Sequence, residues 1–172
     1  MVAPRLLPLL CALLLPGPVL AAGEPVKAAL FPVELLEPGV VVARPLRPDE
    51  TRRLGLATEE LRRQIDANGA LAPVDLAPQA AQIRKDAPLY KCEGCAERIA
   101  REAGAAVAVY GYVQRNTNQV LNVTITITDT ASGKVLRGGQ AVISGDTDET
   151  WRHGVRWVVK NRLLAEPLPD RS

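Results

Sequence analysis

The chain has 172 residues, 47% of them hydrophobic and 23% charged, with a net charge of +2. That length predicts one domain, and that composition excludes a disordered or fibrous protein. The near-balanced charge excludes the basic field of a nucleic-acid binder, and aromatic residues, at 3%, leave little on which bases or sugars could stack.

The opening MVAPRLLPLLCALLLPGPVLAAGEP has Arg5 as its only charge before Glu24, and its apolar stretch runs from Leu6 to Leu15. A charged start, a short apolar middle and a small-residue exit predict a cleavable signal peptide over residues 1–22, cut after Ala21 or Ala22. A membrane span needs about 20 apolar residues, and Pro16, Gly17 and Pro18 interrupt the run before that length. No span is therefore expected after cleavage, and the expected location is the periplasm. Cys11 lies inside the apolar run rather than behind a small residue, which argues against a lipid anchor. Its removal leaves Cys92 and Cys95 as the cysteines of a chain in an oxidising compartment.

In the mature chain, VKAALFPVELL from Val26 to Leu36 predicts a buried first strand, with Pro32 marking an edge or bulge. Residues 37–48, with three prolines and no period, predict a long loop or mobile flap. Asp49 is placed to cap a helix whose Leu54, Ala57, Leu61 and Ile65 recur at helical spacing, and Gly69 stops it. A strand from Leu71 to Leu76 follows, then a short helix from Pro78 to Lys85 and a third from Glu93 to Ala103 opened by the CxxC. Val107 to Val113, apolar on both faces, predicts a central strand. The run QVLNVTITITD alternates as an antiparallel strand with one dry face. A turn through Asp129 to Gly133 leads to a strand from Lys134 to Ser144, where Gly138-Gly139 suggests a bulge. A last helix, capped by Asp146 or Thr147, turns Trp151, Val155, Val158, Val159 and Leu163 inward. The order β-α-β-α-α-β-β-β-α predicts a single-domain α/β sandwich over residues 23–165, its helices packed on a mixed sheet, with a disordered tail at 166–172.

Chemistry has few places to reside. Cys92-Glu93-Gly94-Cys95 at a helix start suits thiol-disulfide exchange, with Cys92 as nucleophile and Cys95 resolving. The same spacing suits a structural disulfide. His153 is the one histidine, so zinc lacks ligands within one chain, and Ala96 stands where covalent haem needs a histidine. No cofactor and no metal are called for. His153 reads as a solvated residue, and Asp146, Asp148 and Glu149 as helix-start acids, with a cation site as the alternative. Trp157 falls about 240° round the last helix from Trp151, on the outer side with Leu164, which implies either burial on both sides or a docking surface.

The block from Cys92 to Leu164, extended back to KAALFPVELL, resembles a family of predicted secreted bacterial proteins of unknown function. Gly111-Tyr112-Val113-Gln114, the turn from Asp129 to Gly133, and the run from Gly145 to Trp151 are its most specific pieces. The element order also resembles the periplasmic domain of the curli secretion channel and the amino-terminal domain of the Tol-system propeller protein. The secretory signal, the lack of a catalytic constellation and the face around Trp157 imply a non-enzymatic accessory protein that binds another periplasmic or envelope protein, and the resemblance implies an association with quinoprotein alcohol oxidation. Two alternatives stand beside it: thiol-disulfide exchange at Cys92 and Cys95, and carriage of a small ligand or metal ion.

Overall fold

Among the described residues, four helices pack on the two faces of a six-stranded mixed sheet. The computed structural model describes residues 24–39 and 44–170; the expected signal peptide, Cys11 and residues 40–43 of the expected flap lie outside the described residues. The strands are β1 (Val26–Leu30), β2 (Glu34–Leu36), β3 (Leu71–Pro73), β4 (Val107–Arg115), β5 (Val120–Asp129) and β6 (Val135–Ser144). The helices are α1 (Pro48–Asn68), α2 (Ala80–Asp86), α3 (Cys95–Glu102) and α4 (Asp148–Val158), the last running on into a wider π-helical turn, Val159–Leu163.

The sheet order is β3-β1-β4-β5-β6, with β2 beside the far half of β4. β1 and β2 are parallel to β4, whereas β5 and β6 fold back as antiparallel neighbours. The expected first strand is thus two strands on one line. Pro32 removes a donor from the ladder, so the chain breaks over Phe31–Val33 and rejoins β4 at Glu34.

One face carries the larger core. The alternating Val107, Val109, Val113 and Leu121, Val123, Ile125, Ile127 meet Ala57, Leu61 and Ile65 of α1 and Trp151, Val155 and Val158 of α4. The other face is covered by α2 and α3 over β1 and β4, where Ile99 and Ala100 pack on Ala29, Phe31 and Ala108. On this second face the β5 residues Asn122, Thr124 and Thr126 stay half-exposed, since neither helix extends that far.

Other local details depart from the expectations, among them the strand expected over Leu71–Leu76, which ends at Pro73. α1 starts at Pro48, not at an Asp49 cap: the Glu50 carboxylate accepts from the Arg47 N–H at 2.8 Å and does the capping itself. α3 starts at Cys95, because Gly94 adopts the left-handed conformation (φ 74°) and turns the chain there. The bulge in β6 is at Leu136, where Val135 and Arg137 pair with the consecutive residues Thr128 and Ile127, and not at Gly138-Gly139. Gly139 has a different reason: a Cβ there would lie 2.5 Å from Cβ of Arg162, so glycine lets the end of the last helix settle on the strand.

Candidate interaction site at the free edge of the sheet

β6 is paired on one side by β5, and among the described residues no strand pairs with its other side. The Gly145 N–H donates to the carbonyl of Gln119 at 2.7 Å, one residue beyond the Val120–Ser144 pair. In an antiparallel ladder the bonded pairs alternate, so the odd residues of β6 bond inward to β5. Gly138, Gln140, Val142 and Ser144 therefore aim their N–H and C=O groups outward, away from β5. All four are exposed, Val142 at 68%.

α4 lies over β5 and β6, at its closest through Gly154, whose Cβ would come within 2.8 Å of methyls of Val123 and Ile143. One flank of α4 is tied to α1: the Arg156 Nε donates to Glu60 at 3.1 Å, and Arg52 and Arg53 pair with Asp148. The opposite flank presents His153 and Trp157, one turn apart. With Gln140, Ala141 and Val142 they line a groove of about 220 Å³ along the free edge. Trp157 is 36% exposed, and the Arg162 guanidinium stacks 5.4 Å above its ring. Leu164, expected to share its surface, instead packs partly buried against the larger core. The edge itself is not legible in the sequence, since sheet order is not written in local periodicity.

The cysteines sit on the other face. Their sulfurs are in contact and their Cα atoms are 5.5 Å apart, within the disulfide range. Cys95 occupies the first turn of α3, while Cys92 precedes it, outside the helix. The helix dipole therefore favours a thiolate at Cys95 rather than at the expected nucleophile, Cys92. The segment before the pair is stitched down: the Glu34 carboxylate accepts from the N–H groups of Leu89 and Tyr90, and the Tyr90 hydroxyl donates to the Leu35 carbonyl. Burial pushes the Glu34 carboxyl above its ordinary range, against the pull of those two N–H groups. A concavity of about 640 Å³ adjoins the pair, lined by Glu97, Arg101, Tyr110 and Thr130. Burial, then the charge of Glu97, holds the Tyr110 phenol above its usual range.

The helix-start acids are spoken for. Asp146 accepts from Arg115 at 2.7 Å and from the Trp151 Nε1 at 2.9 Å. Burial pushes its carboxyl up, but these partners outweigh it and the net shift is downward. Thr147, not Asp146, caps α4, accepting from the Thr150 N–H. Among the described residues no group of three or more His, Cys, Asp or Glu is arranged to hold a metal ion.

Fold and edge together define a mixed α/β domain with a long free strand beside an apolar helix flank. Residues 26–163 match the family DUF3280, described as protein of unknown function (DUF2380), and the chain belongs to that family. No curated protein matches the sequence. Among solved structures, the LpoB C-terminal domain from Salmonella enterica shares 19% identity at a TM-score of 0.51, covering 72% of this chain and 86% of that one. The LpoB C-terminal domain from Escherichia coli shares 21% at 0.50, covering 69% and 82%. PelC from Paraburkholderia phytofirmans, solved as a dodecamer, shares 17% at 0.48, covering 83% and 89%. The likeness to the LpoB domains is one of fold. No described helix is long and apolar enough to cross a membrane.

Proposed function

We propose that this is a non-enzymatic accessory domain of the bacterial envelope, delivered to the periplasm by cleavage after Ala22, which works by offering the β6 edge and the Trp157 flank to another polypeptide. One observation carries the reading: outward backbone donors and acceptors at Gly138, Gln140, Val142 and Ser144 lie beside a groove lined by Val142 and Trp157. Strand addition to such an edge draws affinity from the main chain and specificity from flanking pockets. The fold shared with the LpoB domains is compatible with this role, and the ordered Cys92–Cys95 segment is read as a structural disulfide.

A photo-crosslinking residue at Val142 tests it in envelope extract of the source organism. The expected result is a discrete adduct, lost when Trp157→Ala is added. The adducts to distinguish are a second copy of this chain and a different envelope protein, such as a quinoprotein oxidation component. No adduct from the edge, with the protein folded, would sink the proposal.

A further inference from the structure

We infer that the polypeptide laid against β6 is β6 of a second copy of this chain. The inference rests on reading β6 as the docking edge and adds the identity of the occupant. Exposed edge strands are ordinarily guarded by charge, proline or a bulge. Here the guards, Arg137 and the bulge at Leu136, stand at the start of the strand. From Gly138 to Ser144 the sequence GGQAVIS holds neither a charge nor a proline. That whole stretch of edge is open, with its outward groups at the even positions.

Those positions suit a two-fold partner. Antiparallel self-pairing about Ala141 sets Gly138 against Ser144 and Gln140 against Val142, and the same again by symmetry. Every one of these residues has its N–H and C=O turned outward, so each facing pair exchanges both bonds. The axis stands perpendicular to the sheet, so the α4 face of one copy continues into that of the other. The two flanks bearing His153 and Trp157 then lie side by side over the seam, covering the 220 Å³ groove that each copy leaves open.

Charge agrees with the direction. β6 is preceded by exposed Lys134, carries Arg137 near its start, and is followed by Glu149, whose side chain is 69% exposed; Asp146 and Asp148 are already paired with Arg115, Arg52 and Arg53. In the antiparallel pair the basic start of each strand meets the acidic end of its mate. A parallel arrangement would set like charge against like at both ends.

Sedimentation of the purified mature chain over a range of concentrations tests this, with two variants. Gln140→Pro removes an outward donor while leaving the inward ladder to β5 intact, as edge proline does elsewhere. Ala141→Cys puts a thiol on the axis, opposite its own copy. The expected result is a dimer, weakened at least about tenfold by Gln140→Pro and, in the Ala141→Cys variant, locked by mild oxidation into a covalent pair. A wild-type monomer with no linkage through Ala141→Cys overturns the inference. If that monomer is crosslinked at Val142 to a different envelope protein, the edge-docking reading survives alone; if it crosslinks to nothing, both fall. A dimer indifferent to Gln140→Pro and unlinked in the Ala141→Cys variant uses another surface and also overturns it.

Discussion

Arg156 of α4 donates to Glu60 of α1 at 3.1 Å, and the Glu60 side chain is almost wholly buried. This contact sets which flank of α4 faces inward along the sheet and leaves the flank with His153 and Trp157 at the free edge. Arg63 and Gln64 also serve Glu60, but both belong to the same helix as the carboxylate. Arg156→Ala should therefore cost about 1–2 kcal/mol, by leaving a buried carboxylate with poorer compensation. Arg63→Ala should cost less, since Arg63 is mostly exposed and its ion pair with Glu60 lies within one helix. Urea denaturation of the two variants measures the difference.

Acid should weaken the fold through Glu50. Hydrogen bonds from Arg44, against the opposing effect of burial, hold its carboxyl at about 2 rather than 4.5, with the Arg47 N–H assisting. A carboxyl lowered on folding contributes stability that is present above its unfolded value and lost as pH falls toward its folded one. The expected loss lies between about pH 4.5 and 2. Glu34 runs the other way: its carboxyl is raised, so its contribution is present below the unfolded value and lost as pH rises through the folded one. Melting temperatures at stepped pH should show an acid limb that is flatter in Glu50→Gln.

Two adjacent glycines should respond differently to alanine. At Gly139 a Cβ would press on Arg162 and Val158, whereas at Gly138 nothing lies within 4 Å. Gly139→Ala should destabilise by about 1–3 kcal/mol, while Gly138→Ala should stay within about 0.5 kcal/mol of wild type. Paired denaturation curves decide it, and equal losses would contradict the seating of the last helix on β6.

The Cys92–Cys95 pair should behave as a resident disulfide. A titration against dithiol buffers is expected to place its potential below about −300 mV, with Cys92→Ser/Cys95→Ser losing roughly 2 kcal/mol. A potential near about −200 mV with a reactive thiol would favour the exchange chemistry instead.

Much of this architecture is legible in the sequence because it is periodic. Ala57, Leu61 and Ile65 announce α1, the alternation from Leu121 to Ile127 announces β5, and the Trp151–Leu163 stripe announces α4, all from neighbours within a few residues. What stays hidden depends on distance. Glu50 and Arg115 are 65 residues apart yet joined at 3.3 Å, and Asp146 gains Arg115 from 31 residues away. Asp148 and Glu149 do stand in the first turn of α4, but Asp146, which reads as a cap, belongs to an ion-pair cluster binding α1, β4 and the start of α4. α3 begins later than its spacing suggests, because Gly94 turns the chain where spacing alone favours continuing it. Trp157 declares itself by its angle on the helix, but its setting beside an open strand requires the strand order.

The opposite margin of the sheet is β3, which pairs with β1 through three residues and ends in Pro73. So short a margin, closed by a residue with no N–H, is a poor template for another strand. The molecule thus has one hospitable border and one inhospitable one. A two-fold union consumes the hospitable border of both participants at once and, among the described residues, leaves only the three-residue strands β3 and β2 facing outward at each end. Growth into a filament needs two receptive borders per molecule, so an exposed strand that would ordinarily threaten runaway association here terminates after a single joining.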